Sequence, residues 1–370
     1  MIKIPIFLSI LHFQQKYKNM RLISGIQQIG VGTTDVYKSW EWYRKVFGAD
    51  VAVFDEAAVA QLMLPYTGGK PQKRHAILAI NLEGGGGFEI WQYSDRKPQP
   101  IGFELQLGNL GIAITKIKCK NINTCYQDFF NKGVHLLGNI SKNPIGQPHF
   151  YLKDPFGNIF EMEESTAWFS NGKKQTGGVF GSVMGVTNME KSLKFYSEIL
   201  GYDKIVYDKT GNFEDLAVLP GGSQKYRRVM ITHSQPRRGA FSRLFGESQL
   251  ELFQAFEHKP RKIYEGRFWG DPGYIQLCFD IVGREEFKTF CSEKGHPFTV
   301  DSGADFEMGE AAGSFSYIED PDGTLIELVE TYKVPILKKF GWYLNLRKRN
   351  PEKPLPDWML KSMRFNRKKD

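Results

Sequence analysis

Asp35–Gly48, DVYKSWEWYRKVFG, returns as Asn188–Gly201, NMEKSLKFYSEILG, with Lys38, Ser39, Tyr43 and Gly48 matched in place by Lys191, Ser192, Tyr196 and Gly201. Trp40, Tyr43, Val46 and Phe47 recur at helical spacing, and Lys38, Glu41, Arg44 and Lys45 fall on the other face. That pattern predicts an amphipathic helix stopped by a C-terminal glycine, formed twice. Two more stretches repeat with it: FEIWQYSDRKP (Phe88–Pro98) as LELFQAFEHKP (Leu250–Pro260), and KDPFGNIFEMEE (Lys153–Glu164) as EDPDGTLIELVE (Glu319–Glu330). Self-similarity at a fixed order of motifs divides the chain into modules at 22–168 and 176–332, joined by a polar linker at 170–178. A leader at 1–21, expected to be poorly ordered, precedes them, and a basic tail at 333–370 with a short helix capped by Asp357 follows.

Each module divides again. Short alternating strands open at Ile26 (IQQIGVG), Asn109 (NLGIAIT), Phe180 (FGSVMGV) and Tyr274 (YIQLCFD), each followed by a helix and then by strands separated by glycine-rich or Asp-Pro turns. The expected class is α+β, a βαβββ unit in four copies. The Gly84–Gly87 run precedes a strand rather than a helix and lacks a following Lys-Ser or Lys-Thr, so it reads as a flexible hairpin turn and not a phosphate loop.

At 370 residues with 41% hydrophobic residues the chain has enough apolar content for two cores, which excludes general disorder. The net charge of +8 resides at the ends: from Lys333 onward there are 12 basic and 3 acidic residues, and Lys3, Lys16 and Lys18 add to the leader. The body is mildly acidic, so no specific nucleic-acid partner is expected. Cys119, Cys125, Cys278 and Cys291 form no Cys-x-x-Cys pair, which points away from a disulfide scaffold and toward a cytoplasmic setting. No stretch has the roughly 20 apolar residues of a transmembrane helix.

The helix D-x-x-x-S-x-x-[FW]-Y-x-x-x-[LF]-G and the closing strand D-P-x-G-x-x-x-E resemble the glyoxalase, bleomycin-resistance and extradiol-dioxygenase (vicinal oxygen chelate) superfamily. The resemblance implies units paired into two open-barrel troughs, one per module, with a divalent metal often held by four side chains on the floor. Strand alternation places Ile29 and Val31 under the helix and Gln28 inward; the same parity turns Glu89, Asn109 and Glu161 inward. Transferred position by position, the resemblance makes Gln28, Glu89, Asn109 and Glu161 the metal ligands of the first module, with Asn109 where a histidine is usual. One divalent ion (Mg, Mn, Ni or Zn) is expected there. In the second module the positions fall on Gly181, Glu251, Tyr274 and Glu327, so no metal is expected, and Tyr274 is expected to fill the floor with its hydroxyl on a glutamate.

The preferred function is then a metal-assisted lyase or isomerase acting on a small molecule, with Glu161 as base, Glu89 beside it, and Trp91, Tyr93 and His149 toward the substrate. A metal-free binding or sequestering protein of the bleomycin-resistance kind is the alternative. Ring-cleaving dioxygenation requires a two-histidine, one-carboxylate iron site that the second module lacks. The insertion Gln235–Glu247, QPRRGAFSRLFGE, has no counterpart in the first module and reads as a lid over the second trough or a dimer contact. Both monomer and homodimer stay open.

Overall fold

The repeated helix forms twice, and its ends show why. Asp35 and Asn188 accept the backbone N–H of Lys38 and Lys191 at 3.0 Å, capping helices Val36–Phe47 and Met189–Leu200. Gly48 and Gly201 close them at φ 66° and 70°, a left-handed conformation that glycine adopts without penalty. The computed structural model describes residues 20–303, 306–308, 311–337 and 342–368, so nearly all of the expected leader lies outside the described residues.

Four units follow in order. The first carries β1 (Leu22–Gly32), β2 (Val51–Ala60), β3 (Gln72–Ile80) and β4 (Gly87–Tyr93), and the second β5 (Gly111–Cys119), β6 (His135–Lys142), β7 (Pro148–Lys153) and β8 (Ile159–Glu164). The third has β9 (Thr176–Gly185), β10 (Lys204–Gly211), β11 (Tyr226–Thr232) and β12 (Gln249–Ala255). The fourth has β13 (Gly273–Val282), the short β14 (Val300–Asp301) and β15 (Phe306–Met308), then β16 (Ala311–Glu319) and β17 (Leu325–Leu337), to which β18 (Trp342–Asn345) adds an edge. The fold is α+β, two curled half-barrel sheets with the helices packed between them.

The units do not pair within a module. One sheet runs β14-β16-β17-β13-β1-β4-β3-β2 and joins the first unit to the fourth; the other runs β10-β11-β12-β9-β5-β8-β7-β6 and joins the third to the second. The seams are antiparallel pairs of opening strands, β1 with β13 and β5 with β9. Each trough therefore takes one unit from each half of the chain, here called trough A (first and fourth) and trough B (second and third). The expected arrangement of one trough per module is corrected accordingly.

What units of the same half share is the core. Tyr43 stacks on Phe88 at 4.7 Å, Phe47 packs against Phe160 at 4.8 Å, and one continuous cluster runs through the helices of both halves. The Tyr43 hydroxyl donates to Asp154 at 2.8 Å and that of Tyr196 to Asp320 at 2.9 Å, so the helix tyrosine of one unit anchors the Asp-Pro turn of the next. Tyr43→Phe leaves a buried carboxylate short of a donor. It is expected to destabilise the chain by about 1–3 kcal/mol, measured by denaturant unfolding.

Gly84–Gly87 is buried and threaded between the halves, with Gly85 N–H on Leu244 O at 2.8 Å and Gly86 paired with Val179. A Cβ on Gly85 would lie 2.9 Å from Gly178 Cα. The run does lie in the hairpin connection from β3 to β4, but it is a buried, close backbone crossing rather than a flexible turn. No helix among the described residues is long and apolar enough to cross a membrane.

Candidate functional site

Trough A brings together Gln28 on β1, Glu89 on β4, Gln276 on β13 and Glu327 on β17. Gln28 Nε2 donates to Glu89 at 3.1 Å and approaches Glu327 at 3.5 Å; Gln276 Nε2 donates to the same two carboxylate oxygens at 2.9 and 3.4 Å. Two glutamates thus converge on one point under two amides. The opposite face of Gly30 is what admits Gln276, since a Cβ there would lie 2.5 Å from that amide. Gln276 in turn accepts the Trp269 indole N–H at 3.0 Å, which holds its NH2 toward the carboxylates.

Burial raises both acids. Glu327 is pushed up to about 8 by burial and then by the facing Glu89, against the Cys278 thiol and Tyr317 hydroxyl that bond it. Glu89 is raised by burial as well, opposed by the positive charge of Arg74. A carboxyl group ionising near neutrality is suited to general acid–base work. The two acids lie on the floor of a cavity of about 400 Å³, between Trp91, Trp269 and Tyr317 on one side and Phe241, Leu244 and Phe245 on the other.

The donor set accommodates a hard divalent cation. Gln28 Oε1 is buried without a hydrogen-bond partner, and the two raised carboxyl groups would give up their protons more readily to a cation placed between them. The oxygen of Gln276 is already engaged by Trp269, so Gln28, Glu89 and Glu327 are the residues that would hold the ion.

Trough B has the same architecture with the opposite content. Lys116 Nζ lies 2.9 Å from Glu161, 2.8 Å from Glu251 and within hydrogen-bond distance of Glu163, all fully buried. His149 pairs with Glu161 at 2.6 Å and with Asp215 at 3.3 Å, and Arg228 bonds Glu251 and Asp215. Burial alone would lower His149, but Glu161 and Asp215 outweigh it and raise the ring to about 9. Burial would raise Glu161, yet Lys116 and His149 hold it well below the usual carboxylate range. A permanently ionised, paired carboxylate makes a poor base, and the ammonium of Lys116 stands where the carboxylates would otherwise receive a metal.

The four expected ligands are therefore divided. Gln28 and Glu89 share trough A, Glu161 is in trough B, and Asn109 belongs to neither floor: its side-chain oxygen accepts the Gln106 N–H at 2.9 Å in the turn before β5. Trp91 lines trough A, whereas Tyr93 is buried behind it with its hydroxyl on Trp269 O. His149, expected toward the first-module substrate, is sealed in the trough B cluster. Tyr274 does not fill a trough floor. Its hydroxyl bonds Ile159 O at 2.7 Å, because a bulge opposite Gly30 and Val31 reverses the strand's parity and turns Gln276 inward instead.

The insertion and tail also meet at trough A, not at the second-module trough. Helix Ser242–Phe245 and helix Asp357–Ser362 close one end, joined by Arg243–Asp357 at 2.9 Å and by Leu355 N–H on Ala240 O at 2.8 Å. Pro356 occupies the cap position and Asp357 the first turn, so the expected Asp357 cap is displaced by one residue. Met359, Leu360 and Met363 dock on the body, while Trp358 and Phe365 stay exposed.

Two curled sheets of βαβββ units, each with opposed glutamates on its closing strands, define a two-module protein of glyoxalase-like fold. Residues 25–162, in the first half of the chain, match the Glyoxalase/Bleomycin resistance protein/Dioxygenase superfamily. Among solved structures it is similar to glyoxalase I from Zea mays, with TM-score 0.51 and 14% identity over 84% of this chain and 92% of that one. A point mutant of the Zea mays enzyme gives TM-score 0.53 at 15% identity, covering 84% and 94%. A putative dioxygenase from Bacillus subtilis gives 0.52 at 12%, covering 84% and 86%. At these identities the likeness is one of fold. No curated protein matches the chain by sequence.

Proposed function

We propose that trough A is the reaction site of a small-molecule lyase or isomerase that moves a proton next to a carbonyl. The observation that carries this reading is the pair of half-buried Glu89 and buried Glu327, on facing closing strands and converging under two amides at the floor of an open cavity. Glu327, poised near neutrality, takes the proton from the substrate carbon and returns it to the neighbouring one. Glu89 stays the more readily ionised partner through Arg74, and Gln28 and Gln276 hold both carboxylates in place by their NH2 groups. A divalent cation on Gln28, Glu89 and Glu327 would make the substrate C–H more acidic by polarising the adjacent oxygen. The lysine-filled trough B takes no part in the chemistry.

The test uses protein purified without affinity metals, stripped with chelator and equilibrated with Mn²⁺, Mg²⁺, Ni²⁺ or Zn²⁺. The wild type is expected to bind about one equivalent, lost in Glu89→Gln and Glu327→Gln. It is also expected to catalyse exchange of solvent deuterium into 2-hydroxyacetophenone, reduced at least a hundredfold in Glu327→Gln. Absence of both metal and exchange in the wild type overturns the reading and leaves a small-molecule binding protein.

A further inference from the structure

We propose that trough A takes a largely apolar, aromatic small molecule with one oxygen-bearing polar end, and that the end wall built by the insertion and tail selects for it. The polar end rests on the reaction centre proposed above; the apolar body rests on the walls. Neither the insertion nor the tail belongs to the repeated unit, yet both are bound into the same end of the same trough. Phe241, Leu244 and Phe245 pack with Val51, Ile80, Leu82 and Leu355 in one apolar cluster, with Met363 against it. Phe245 Cβ reaches the backbone of β1, where a Cβ on Gly25 would lie 2.7 Å away. The wall is thus seated on the strand that carries Gln28.

The opposite end is aromatic. Trp91 meets Trp269 edge-on at 4.5 Å, with Tyr317 and Met63 in the same cluster. Between these ends Gln28, Glu89 and Glu327 form the polar floor, and Asp55, Glu56 and Gln61 add polar groups to a lining that is otherwise mainly apolar. The cations at the rim are engaged: Arg74 pairs with Glu56 at 2.9 Å, and the Lys333 ammonium lies 4.0 Å from the Tyr343 ring centroid. A phosphorylated substrate would meet the carboxyl groups of Asp55, Glu56, Glu89 and Glu327 and cations that are already engaged, whereas an aromatic body packs on the aromatic and aliphatic walls and leaves no charge of its own to be buried. A cavity of about 400 Å³ is of the size that encloses a molecule of two or three rings.

The probe is N-phenyl-1-naphthylamine, uncharged and fluorescent in apolar surroundings, titrated into the chelator-treated full-length protein. One equivalent is expected to bind, with enhanced probe emission and quenching of tryptophan emission. Met363→Arg, at the partly exposed end of the wall, and Leu244→Trp, which fills it, are each expected to weaken binding at least tenfold, with circular dichroism and thermal unfolding reporting that they fold. No binding to the wild type, or unchanged affinity in whichever of the two variants folds, overturns the proposal. Because no turnover is read, the two readings fail separately: probe binding with the expected losses, but no deuterium exchange, supports this pocket and removes the reaction.

Discussion

Lys116→Met is expected to destabilise the protein by about 3–5 kcal/mol, the usual consequence of removing one partner from a buried ion pair. Methionine matches the lysine stem in length, so packing changes little; what is lost is the charge that three buried carboxylates share. Glu163 is already raised by burial and by Glu161, and without Lys116 it rises further, while Glu161 keeps His149 and Glu251 keeps Arg228. The sign of the pH dependence is therefore diagnostic. In the wild type, Glu161 has its folded pKa depressed, so its contribution is present above its ordinary value and is lost as pH falls below it. In Lys116→Met the folded Glu163 binds its proton still more tightly than the unfolded one, and its contribution makes stability rise as pH is lowered from 7 toward 5. Adding Glu163→Gln removes one of the three charges and is expected to restore part of the loss. Denaturant unfolding at several pH values checks all three; a cost below 1 kcal/mol with an unreversed slope would sink the account of Lys116 as an internal counter-ion.

The local features were legible in the sequence because each is decided by a few neighbouring residues. Helix caps at Asp35 and Asn188, the closing glycines 48 and 201, and the Asp-Pro turns at 154 and 320 all follow from the repeat itself. The pairing of units was not, because any opening strand presents a similar apolar edge, and the choice of β13 over β5 as partner of β1 lies in contacts about 250 residues apart. That choice moves Glu327 beside Glu89 and sends Glu161 to Glu251. The bulge that puts Gln276 rather than Tyr274 on the floor is likewise invisible to a strict two-residue period. One signal was present and unused. Lys116 and Lys118 alternate along a mainly apolar strand, in register with Glu161 and Glu163 on β8; Lys116 meets buried counter-charges, whereas the Lys118 ammonium donates to Ala167 O at 2.7 Å. Gly181, opposite Lys116 across the seam, completes it: a Cβ there would lie 3.2 Å from the lysine stem.

Glu327→Gln is expected to make the protein more stable at neutral pH while lowering the proposed proton exchange at least a hundredfold. The unfolded glutamate ionises near 4.5, but the folded one keeps its proton to about 8. Between those values the folded state binds more protons than the unfolded state, so wild-type stability falls as pH rises through the window, and nothing is lost below it. Glutamine carries no charge and lacks that slope. By pH 7 the difference is on the order of 3 kcal/mol in favour of the variant, and it closes as the pH approaches 4.5. The measurement is the thermal midpoint of both proteins from pH 4.5 to 8 in chelator, since a bound cation would favour the ionised carboxylate and flatten the wild-type curve. Parallel curves would mean that Glu327 ionises as an ordinary carboxylate, and the acid–base assignment would fall with it. A converging pair would show that trough A retains a destabilising carboxylate, whereas trough B neutralises its own with Lys116. Such a cost, at the floor of an open cavity, is what a functional site imposes on the fold that carries it.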